Sequence, residues 1–301
     1  LYFISEIDRF DGIDQGSVIF YKIDSDNKLT EIERNGTFGS EPCHVNLHPS
    51  QKSLVISNYS SGSIVAYPLN ESGKVSDVST FYQHEGQSIN EIRQQSAHAH
   101  SSTFNLQTDQ LYVADLGMDK IVIYDYDPTS GILKYRPELD VESVPGSGPR
   151  HFEWHPSGSV LYVINELNCT VSVYKCLDNQ GLQLLQNIST LPKGFDGIIS
   201  CADIHISLDG KFLYASNRGH NSIVRYAVDS SDLTLSDPVH FDTLGAWTRN
   251  FAISPDQEYM FVANQDSNNI VVFKRNISDG FISNLDVEIQ IPSPVCIKFL
   301  K

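Results

Sequence analysis

The chain has 301 residues, of which 40% are apolar, and its formal net charge is −16 at pH 7. A strongly acidic protein repels phosphate backbones and anionic lipid headgroups, so the composition predicts no nucleic-acid partner and no membrane partner. No apolar run approaches the roughly 18 residues of a membrane span. Even hydrophobic patterning without a linker predicts a single domain over residues 1–301.

The chain opens with LYFISEIDRFDGIDQGSVIFYKI, which is typical of strands two and three of a four-stranded unit. From residue 42 a phrase recurs at intervals of roughly 46–56 residues, the spacing of propeller blades. Each copy has a polar or basic anchor, a short apolar strand, a turn such as HPSG or SPDQ, and a second strand of the type LYVxN. The copies are PCHVNLHPSQKSLVISNY (42–59), AHAHSSTFNLQTDQLYVADLG (97–117), GPRHFEWHPSGSVLYVINEL (148–167), CADIHISLDGKFLYASNRG (201–219), TRNFAISPDQEYMFVANQD (248–266) and the half-copy SPVCIKFLK (293–301).

Each copy continues with a third strand, such as DKIVIYDY (119–126), and a weaker fourth, such as GILKYRPELDV (131–141). Four strands joined by tight turns form a blade. The sequence therefore predicts an all-β chain, a β-propeller of four-stranded antiparallel blades with six repeats visible. The last half-copy is predicted as strand one of the blade to which residues 1–23 belong; an absent N-terminal segment that carries most of a seventh blade is the alternative.

The chain contains five cysteines, an odd number without CxxC spacing. This pattern favours buried thiols in a reducing compartment over a disulfide framework. No signal peptide is visible, so a cytoplasmic location is expected. A periplasmic or secreted location stays open because the N-terminal segment is suspected to be missing.

The strand hairpin brings polar residues of different repeats to one end of the fold. The start of strand one and the end of strand two lie at the same end of a blade, so anchors and post-LYVxN residues should gather around the channel. The anchors are His44, His98, His100, Arg150, His151, Asp203 and Arg249. The residues after strand two are Asn58, Tyr59, Asp115, Glu166, Asn168, Arg218, His220, Asn264 and Gln265. Several arginines and histidines with a few carboxylates suit anion binding and acid–base chemistry.

Structural roles compete with functional ones for several of these side chains. Asp115 is equally explained as the cap of a turn, and His44 as a structural histidine. His155 and His205, inside the strand-one hairpins, are interpreted as structural.

The strongest functional candidate is Arg150, which follows the rigid turn GSGP. Glu166 and Arg218 could instead form a salt bridge between blades. A metal site is not predicted, because the histidines lack paired ligand spacing and nearby arginines repel cations. A serine hydrolase is not indicated either, since GxSxG is absent.

Four segments resemble the lactonase family of seven-bladed propellers, which includes propeller-type 6-phosphogluconolactonases and carboxymuconate-cyclising enzymes. They are AHAHS (97–101), DLGMDKI (115–121), PGSGPRHFEWHPSG with LYVINEL (145–167) and ADIHISLDGKFLYASNRGHNSI (202–223). The resemblance spans essentially the whole chain and implies a seven-bladed, metal-independent enzyme without a cofactor. It implies catalytic roles for His100, Arg150, Glu166 and Arg218, with His98 as the alternative histidine.

The expected function is hydrolysis of an anionic sugar lactone, with 6-phosphogluconolactone as the first choice. A small anionic lactone would then be the partner, and Glu166 or His100 would activate water. The alternatives are a lactone-forming muconate-type cyclase and a non-catalytic binding propeller. The predicted substrate-binding residues are His44, His98, Asp115, His151, Arg249 and Gln265.

Overall fold

In the computed structural model, which describes residues 1–105, 107–177 and 181–300, nearly all regular secondary structure is β-strand. The contacts within the chain group into two compact units, residues 1–149 with 178–181 and residues 150–177 with 182–301. The prediction of an all-β chain is confirmed; the described ranges contain one short 3-10 helix, Pro137–Leu139. No helix in these ranges is long and apolar enough to cross a membrane.

The first unit contains three antiparallel sheets in which successive strands are neighbours, except for the last strand of the third sheet. The first sheet consists of β1 (Tyr2–Ser5), β2 (Ser17–Ile23) and β3 (Leu29–Gly36). The second consists of β4 (Pro42–Leu47), β5 (Ser53–Asn58), β6 (Ser63–Pro68) and β7 (Thr80–Gln83). The third consists of β8 (Ala99–Asn105), β9 (Gln110–Asp115), β10 (Lys120–Tyr126), β11 (Leu133–Tyr135) and β12 (Val141–Glu142).

The outer edge of the third sheet differs from the prediction of one strand over 131–141. The segment divides into β11, the 3-10 helix and β12, and both strands pair with β10. Pro137 lacks the N–H that a ladder needs, and its fixed φ suits the first position of a helical turn. A proline inside the predicted strand therefore explains the interruption.

The second unit contains three four-stranded antiparallel sheets, again with successive strands as neighbours. The first consists of β13 (Pro149–Trp154), β14 (Val160–Asn165), β15 (Thr170–Leu177) and β16 (Gly181–Ser189). The second consists of β17 (Cys201–Ile206), β18 (Phe212–Asn217), β19 (Ser222–Val228) and β20 (Leu235–Asp242). The third consists of β21 (Thr248–Ile253), β22 (Tyr259–Asn264), β23 (Asn269–Arg275) and β24 (Ile282–Gln290).

The C-terminal segment does not form the strand that the half-copy 293–301 predicts. Residues 291–300 carry no strand assignment, and residue 301 lies outside the described residues. Pro292 and Pro294 remove two ladder donors. The segment is held by single contacts instead: the Ile297 N–H donates to Asn250 Oδ1 at 2.7 Å, and the Phe299 ring packs edge-on against Phe261.

The second strand of each repeat forms the core. Strands β5, β9, β14 and β18 are buried at every position. Their tyrosines bury the ring and satisfy the hydroxyl: Tyr162 donates to the Leu233 carbonyl and Tyr214 to the Gly280 carbonyl. A fully buried side chain of this size contributes roughly 1.5–3 kcal/mol. Strand two is thus a rigid element, and the residues at its end are held in fixed positions.

A β-bulge interrupts the first strand of four repeats at the predicted anchors. The pairing of β4, β8, β17 and β21 with the next strand shifts register near the start of each strand. The cross-strand residue pairs of these strands do not include Cys43, His100, Ala202 with Asp203, and Arg249. A bulge leaves its extra residue outside the pairing and turns its side chain to a new direction, which is common beside active sites. The bulges therefore set the orientation of His100, Asp203 and Arg249.

Candidate functional site

A buried trio of charged side chains joins two sheets of the second unit. Arg150 is the second residue of β13, Glu166 follows β14, and Arg218 follows β18. Arg150 Nε donates to Glu166 Oε2 at 2.9 Å, and Arg218 Nη2 lies 2.9 Å from the same oxygen. Two guanidinium groups therefore share one carboxylate oxygen. These three sequence-predicted residues are in direct contact.

Backbone and aromatic contacts hold the two guanidinium groups in place. Arg150 Nη1 donates to the Ala202 carbonyl, and Arg218 Nη2 donates to the Cys201 carbonyl at 2.8 Å. The Arg218 guanidinium also lies over the Trp247 ring, 5.5 Å from its centroid. Both carbonyls belong to the start of β17. The bulged strand thus fixes both arginines.

The trio is nearly inaccessible to solvent. The exposed fractions of the side chains are 4% for Arg150, 4% for Glu166 and 7% for Arg218. Burial lowers the pKa of Arg218, and the Arg150 charge lowers it further, while Glu166 opposes the shift. Among the described residues, the buried Arg218 Nε has no hydrogen-bond acceptor. A buried guanidinium nitrogen without an acceptor is costly unless a ligand supplies one.

Beside the trio, His151 and Asp203 form a second polar group. His151 Nδ1 lies 2.8 Å from Asp203 Oδ1, and His151 Nε2 lies 3.3 Å from Arg150 Nη1. A guanidinium can only donate and a carboxylate can only accept. These contacts fix the tautomer: Nδ1 carries the proton and Nε2 presents its lone pair towards Arg150.

The Asp203 carboxylate is held from several directions. Its Oδ2 lies 3.1 Å from His205 Nε2 and also accepts from the Asn250 side-chain amide at 2.5 Å. His205 Nδ1 in turn lies 3.3 Å from Glu153 Oε2. Histidines and carboxylates therefore alternate along the row from His151 through Asp203 and His205 to Glu153.

The pKa values of this row follow from burial and from the neighbouring charges. Burial and Arg150 lower the pKa of His151 to about 4 although Asp203 opposes the change. Burial would lower the pKa of His205, but Asp203 and Glu153 outweigh it and raise the pKa to about 10. Burial would raise the pKa of Asp203, but the two histidines hold it well below its usual range. At neutral pH, His151 is therefore neutral, His205 is protonated and Asp203 is ionised.

Two further predicted binding residues of this unit form a pair. Arg249, the bulge residue of β21, donates from Nη1 to Gln265 Oε1 at 3.4 Å. Gln265 follows β22, and its backbone N–H donates to the Trp247 carbonyl at 3.0 Å. Arg249 and Gln265 thus occupy the same end of their sheet as Arg150 and Glu166 do in theirs.

In the first unit, the predicted histidines surround Tyr59. His98 stacks on the Tyr59 ring with centroids 4.6 Å apart, and His100 meets it edge-on at 5.5 Å. Arg93 Nη2 donates to the Tyr59 hydroxyl at 3.1 Å. His98 and His100 are 7% and 5% exposed, so both histidines are held in a packed cluster.

Asp115 caps a turn, which is the structural role that the sequence suggested for it. Its Oδ1 accepts from the backbone N–H of His98 and of Met118, and its Oδ2 lies 2.7 Å from His84 Nδ1. The carboxylate thus caps the turn after β9 and is fully buried. His44 has a weaker link, in which its Nδ1 accepts from the Ser102 N–H at 3.4 Å.

The sequence prediction did not select Asp203, His205, Glu153 and Trp247 as site residues. Asp203 stood among the anchors without a role, and His205 was interpreted as structural. Residues two apart in a strand lie on one face, so HFE (151–153) and DIH (203–205) each place an acid and a histidine side by side. That alternation was the available signal. No group of three or more histidine, cysteine, aspartate or glutamate side chains able to hold a metal occurs within the described ranges.

Comparison with known proteins identifies the family to which the chain is similar. The profile of the family described as "Lactonase, 7-bladed beta-propeller" matches residues 1–299. A 6-phosphogluconolactonase of Formosa agariphila is 40% identical over 282 residues, which cover 92% of this chain and 79% of the relative. A 6-phosphogluconolactonase of Bacillus subtilis is 32% identical over 297 residues, or 98% of this chain and 83% of the relative.

A solved structure extends the likeness to the fold. The periplasmic gluconolactonase of Pseudomonas aeruginosa superposes with a TM-score of 0.93 at 30% identity. The match covers 100% of this chain and 85% of that protein. The predicted propeller fold is confirmed by this match and by the family profile.

Proposed function

The chain belongs to the lactonase family of seven-bladed β-propellers, and from that premise we propose that it hydrolyses an anionic sugar lactone, 6-phosphogluconolactone, to 6-phosphogluconate. Two relatives carry the name of that activity, and a structural neighbour is named a gluconolactonase. The chain itself supplies the second support, a concentrated positive charge at one end of the second unit.

The observation that carries the proposal is the pair of arginines on one carboxylate oxygen. Arg150 and Arg218 contribute two positive charges and Glu166 one negative charge, so the trio keeps a net positive charge inside an acidic protein. A buried positive site attracts an anion more strongly than an exposed one, because solvent screens it less. The orphaned Arg218 Nε provides a donor for that anion.

Ester cleavage needs such donors at a defined place. When water adds to the lactone carbonyl, the carbonyl oxygen gains a full negative charge that the ground state lacks. Guanidinium groups already fixed by Glu166, Ala202 and Cys201 can stabilise that charge without reorganising. We assign Arg150 and Arg218 to the oxyanion or to the substrate's own anionic group, and Glu166 to their alignment.

The remaining assignments rest on the family resemblance and on position. His100 is proposed as a catalytic residue because the resemblance implies it, and His98 is its alternative. His44, His151, Arg249 and Gln265 are proposed as substrate contacts. Asp115 is not proposed as a contact, because its oxygens already bind His84 and two backbone N–H groups.

The test is hydrolysis by the purified protein, measured as the rate above spontaneous lactone opening. The panel contains 6-phosphogluconolactone, unphosphorylated gluconolactone and a carboxymuconate. We expect saturable hydrolysis of the phosphorylated lactone. Arg150→Ala should abolish most of it, and Arg136→Lys, at a partly exposed arginine of the first unit, should serve as the unchanged control. No rate above background on either lactone would overturn the proposal, and turnover of the muconate alone would assign a cyclase.

A further inference from the structure

We propose that the second unit binds a small inorganic anion, chloride or one of similar size, between two buried arginines, Arg225 and Arg275. Arg225 lies in β19, and Arg275 ends β23, the strand that leads away from Gln265 and the candidate site. Neither arginine belongs to the charged trio described above. The inference therefore does not depend on lactone hydrolysis.

The two guanidinium groups lie against the same aromatic ring. The Arg225 guanidinium is 4.5 Å from the centroid of the Phe212 ring, and the Arg275 guanidinium is 6.0 Å from the same centroid. Both charges also act on Tyr214: burial raises the pKa of this tyrosine, while Arg275 and Arg225 act to lower it. The two positive charges are thus neighbours in the layer between the second and third sheets of this unit.

Only part of the hydrogen-bonding capacity of the pair is used. Arg225 Nη2 donates to the Asp279 carbonyl at 2.6 Å. Arg275 Nη1 donates to the Gln257 carbonyl at 2.9 Å, and its Nε donates to the Tyr214 hydroxyl at 2.8 Å. Within the described ranges, the buried Arg225 Nε and Arg275 Nη2 have no hydrogen-bond acceptor. A buried donor without an acceptor is costly, and the cost is larger when the group is charged.

The pair also lacks a counter-charge. Neither arginine forms an ion pair with any carboxylate that the structure describes. The acids nearby have other partners: Asp209, whose charge acts on Tyr214, lies 3.2 Å from the Lys211 ammonium. The Asp279 carboxylate accepts from the Phe281 N–H at 2.9 Å. Two positive charges therefore stay together without direct neutralisation.

One anion would supply both the missing acceptor and the missing charge. Arg225 is 8% exposed and Arg275 is 2% exposed, so water does little to screen their repulsion. A monatomic anion suits this packed layer because it needs little more room than a water molecule. The entry route lies beside the turn 276–281, which is exposed except at Gly280. The Phe281 ring of this turn is 5.3 Å from the Arg225 guanidinium.

The experiment measures the melting temperature of the full chain as sodium chloride rises from about 1 to about 100 mM, with ionic strength held constant by the salt of a bulky organic sulfonate. We expect a rise of about 2–3 °C for each tenfold increase once chloride exceeds its dissociation constant. Arg225→Gln and Arg275→Gln should each abolish this rise. Lys274→Gln is the matched control, because it removes the same charge from the adjacent, exposed residue that pairs with Glu258. It should keep the full chloride response.

A second measurement needs no variant. Crystals of the unsubstituted protein soaked in bromide should show an anomalous peak within hydrogen-bonding distance of Arg225 Nε and Arg275 Nη2. Where a variant fails to fold, this peak decides the question.

Two results would overturn the inference. An equal chloride response in Arg275→Gln and in the unsubstituted protein would place the anion elsewhere, for example at the trio of Arg150, Glu166 and Arg218. A flat response of the unsubstituted protein, with no bromide peak between the two arginines, would show that water alone satisfies their donors.

Discussion

His151 and Asp203 are joined across neighbouring sheets by a 2.8 Å contact between the imidazole Nδ1 and the carboxylate Oδ1. The contact orients a neutral histidine next to a buried arginine, and several measurable properties depend on it.

The titration of this histidine reports directly on its environment. Because burial and Arg150 lower the pKa of His151 to about 4, its imidazole is neutral at pH values well above that value. The charged groups around it are Arg150, Asp203, His205, Glu153, Glu166 and Arg218. We expect the ¹⁵N NMR signals of the His151 ring to titrate on acidification with a midpoint near pH 4, whereas an ordinary histidine titrates at about 6.5. A midpoint near about 6.5 would contradict the environment described for His151.

The planar fork of Arg150 should be required in addition to its charge. Arg150→Ala should lower turnover on the order of 10²–10³-fold, and Arg150→Lys should restore only part. A lysine cannot reach Glu166 and the Ala202 carbonyl from separate nitrogens, as Arg150 does. Steady-state kinetics of both variants check this, with Arg136→Lys as the control. Full activity in Arg150→Lys would reduce the role of Arg150 to a point charge.

Glu166→Gln should mainly lower the stability of the folded protein. The substitution leaves two buried guanidinium groups without their shared counter-charge, which costs about 3–5 kcal/mol for a buried pair. We expect a lowered melting temperature and a kcat loss much smaller than that of Arg150→Ala. Turnover and melting temperature are measured on the same preparation. An unchanged melting temperature with a 10²-fold or larger loss of turnover, on the order expected for a lost base, would identify Glu166 as the base instead.

The substrate's charge should control catalytic efficiency. Because the trio is positive while the chain carries a net charge of −16, phosphorylated or carboxylated lactones should be preferred over neutral ones. We expect at least about tenfold higher kcat/KM for the phosphorylated lactone, with a gap that narrows as salt rises above about 0.1 M. Equal values for both lactones at low salt would refute the anion site.

Because of His205, the folded protein should become less stable as the pH rises above neutral. The pKa of His205 is raised to about 10 in the folded protein, against about 6.5 when unfolded. Its stabilising contribution is therefore complete below about pH 6.5, declines between about 6.5 and about 10, and is lost above that range. Melting temperatures across this interval should fall more steeply for the unsubstituted protein than for His205→Gln. Parallel curves would show that Asp203 and Glu153 do not hold the proton on His205.

Much of the fold could be predicted from the sequence, because hydrophobic alternation and turn residues specify each hairpin locally. LYVINEL and FLYASNRG indicate where strand two ends, and the hairpin then brings Glu166 and Arg218 to the level of Arg150. The strand predicted at 293–301 was wrong because strand-like residues there follow two prolines, and pairing depends on a partner edge that local pattern does not specify.

The candidate site was only partly predictable, for a physical reason. Hairpin geometry gathers residues at one end, but the sharing of one Glu166 oxygen and the link from His205 to Asp203 depend on how neighbouring sheets pack. Asp203 reaches its partners from a bulge, whose position the apolar pattern of β17 does not reveal. The roles of His100 and His98 stay predictions.

The bulges at the start of strand one place some side chains outside the residue pairs that hold the blade together. Cys43, His100 and Arg249 belong to no ladder pair, so a different side chain at these positions leaves the residue pairing of the two strands unchanged. The paired residues on either side keep the hairpin in register. Such a scaffold can exchange its chemical groups one repeat at a time, which makes these bulge positions the natural places to redesign specificity without redesigning the fold.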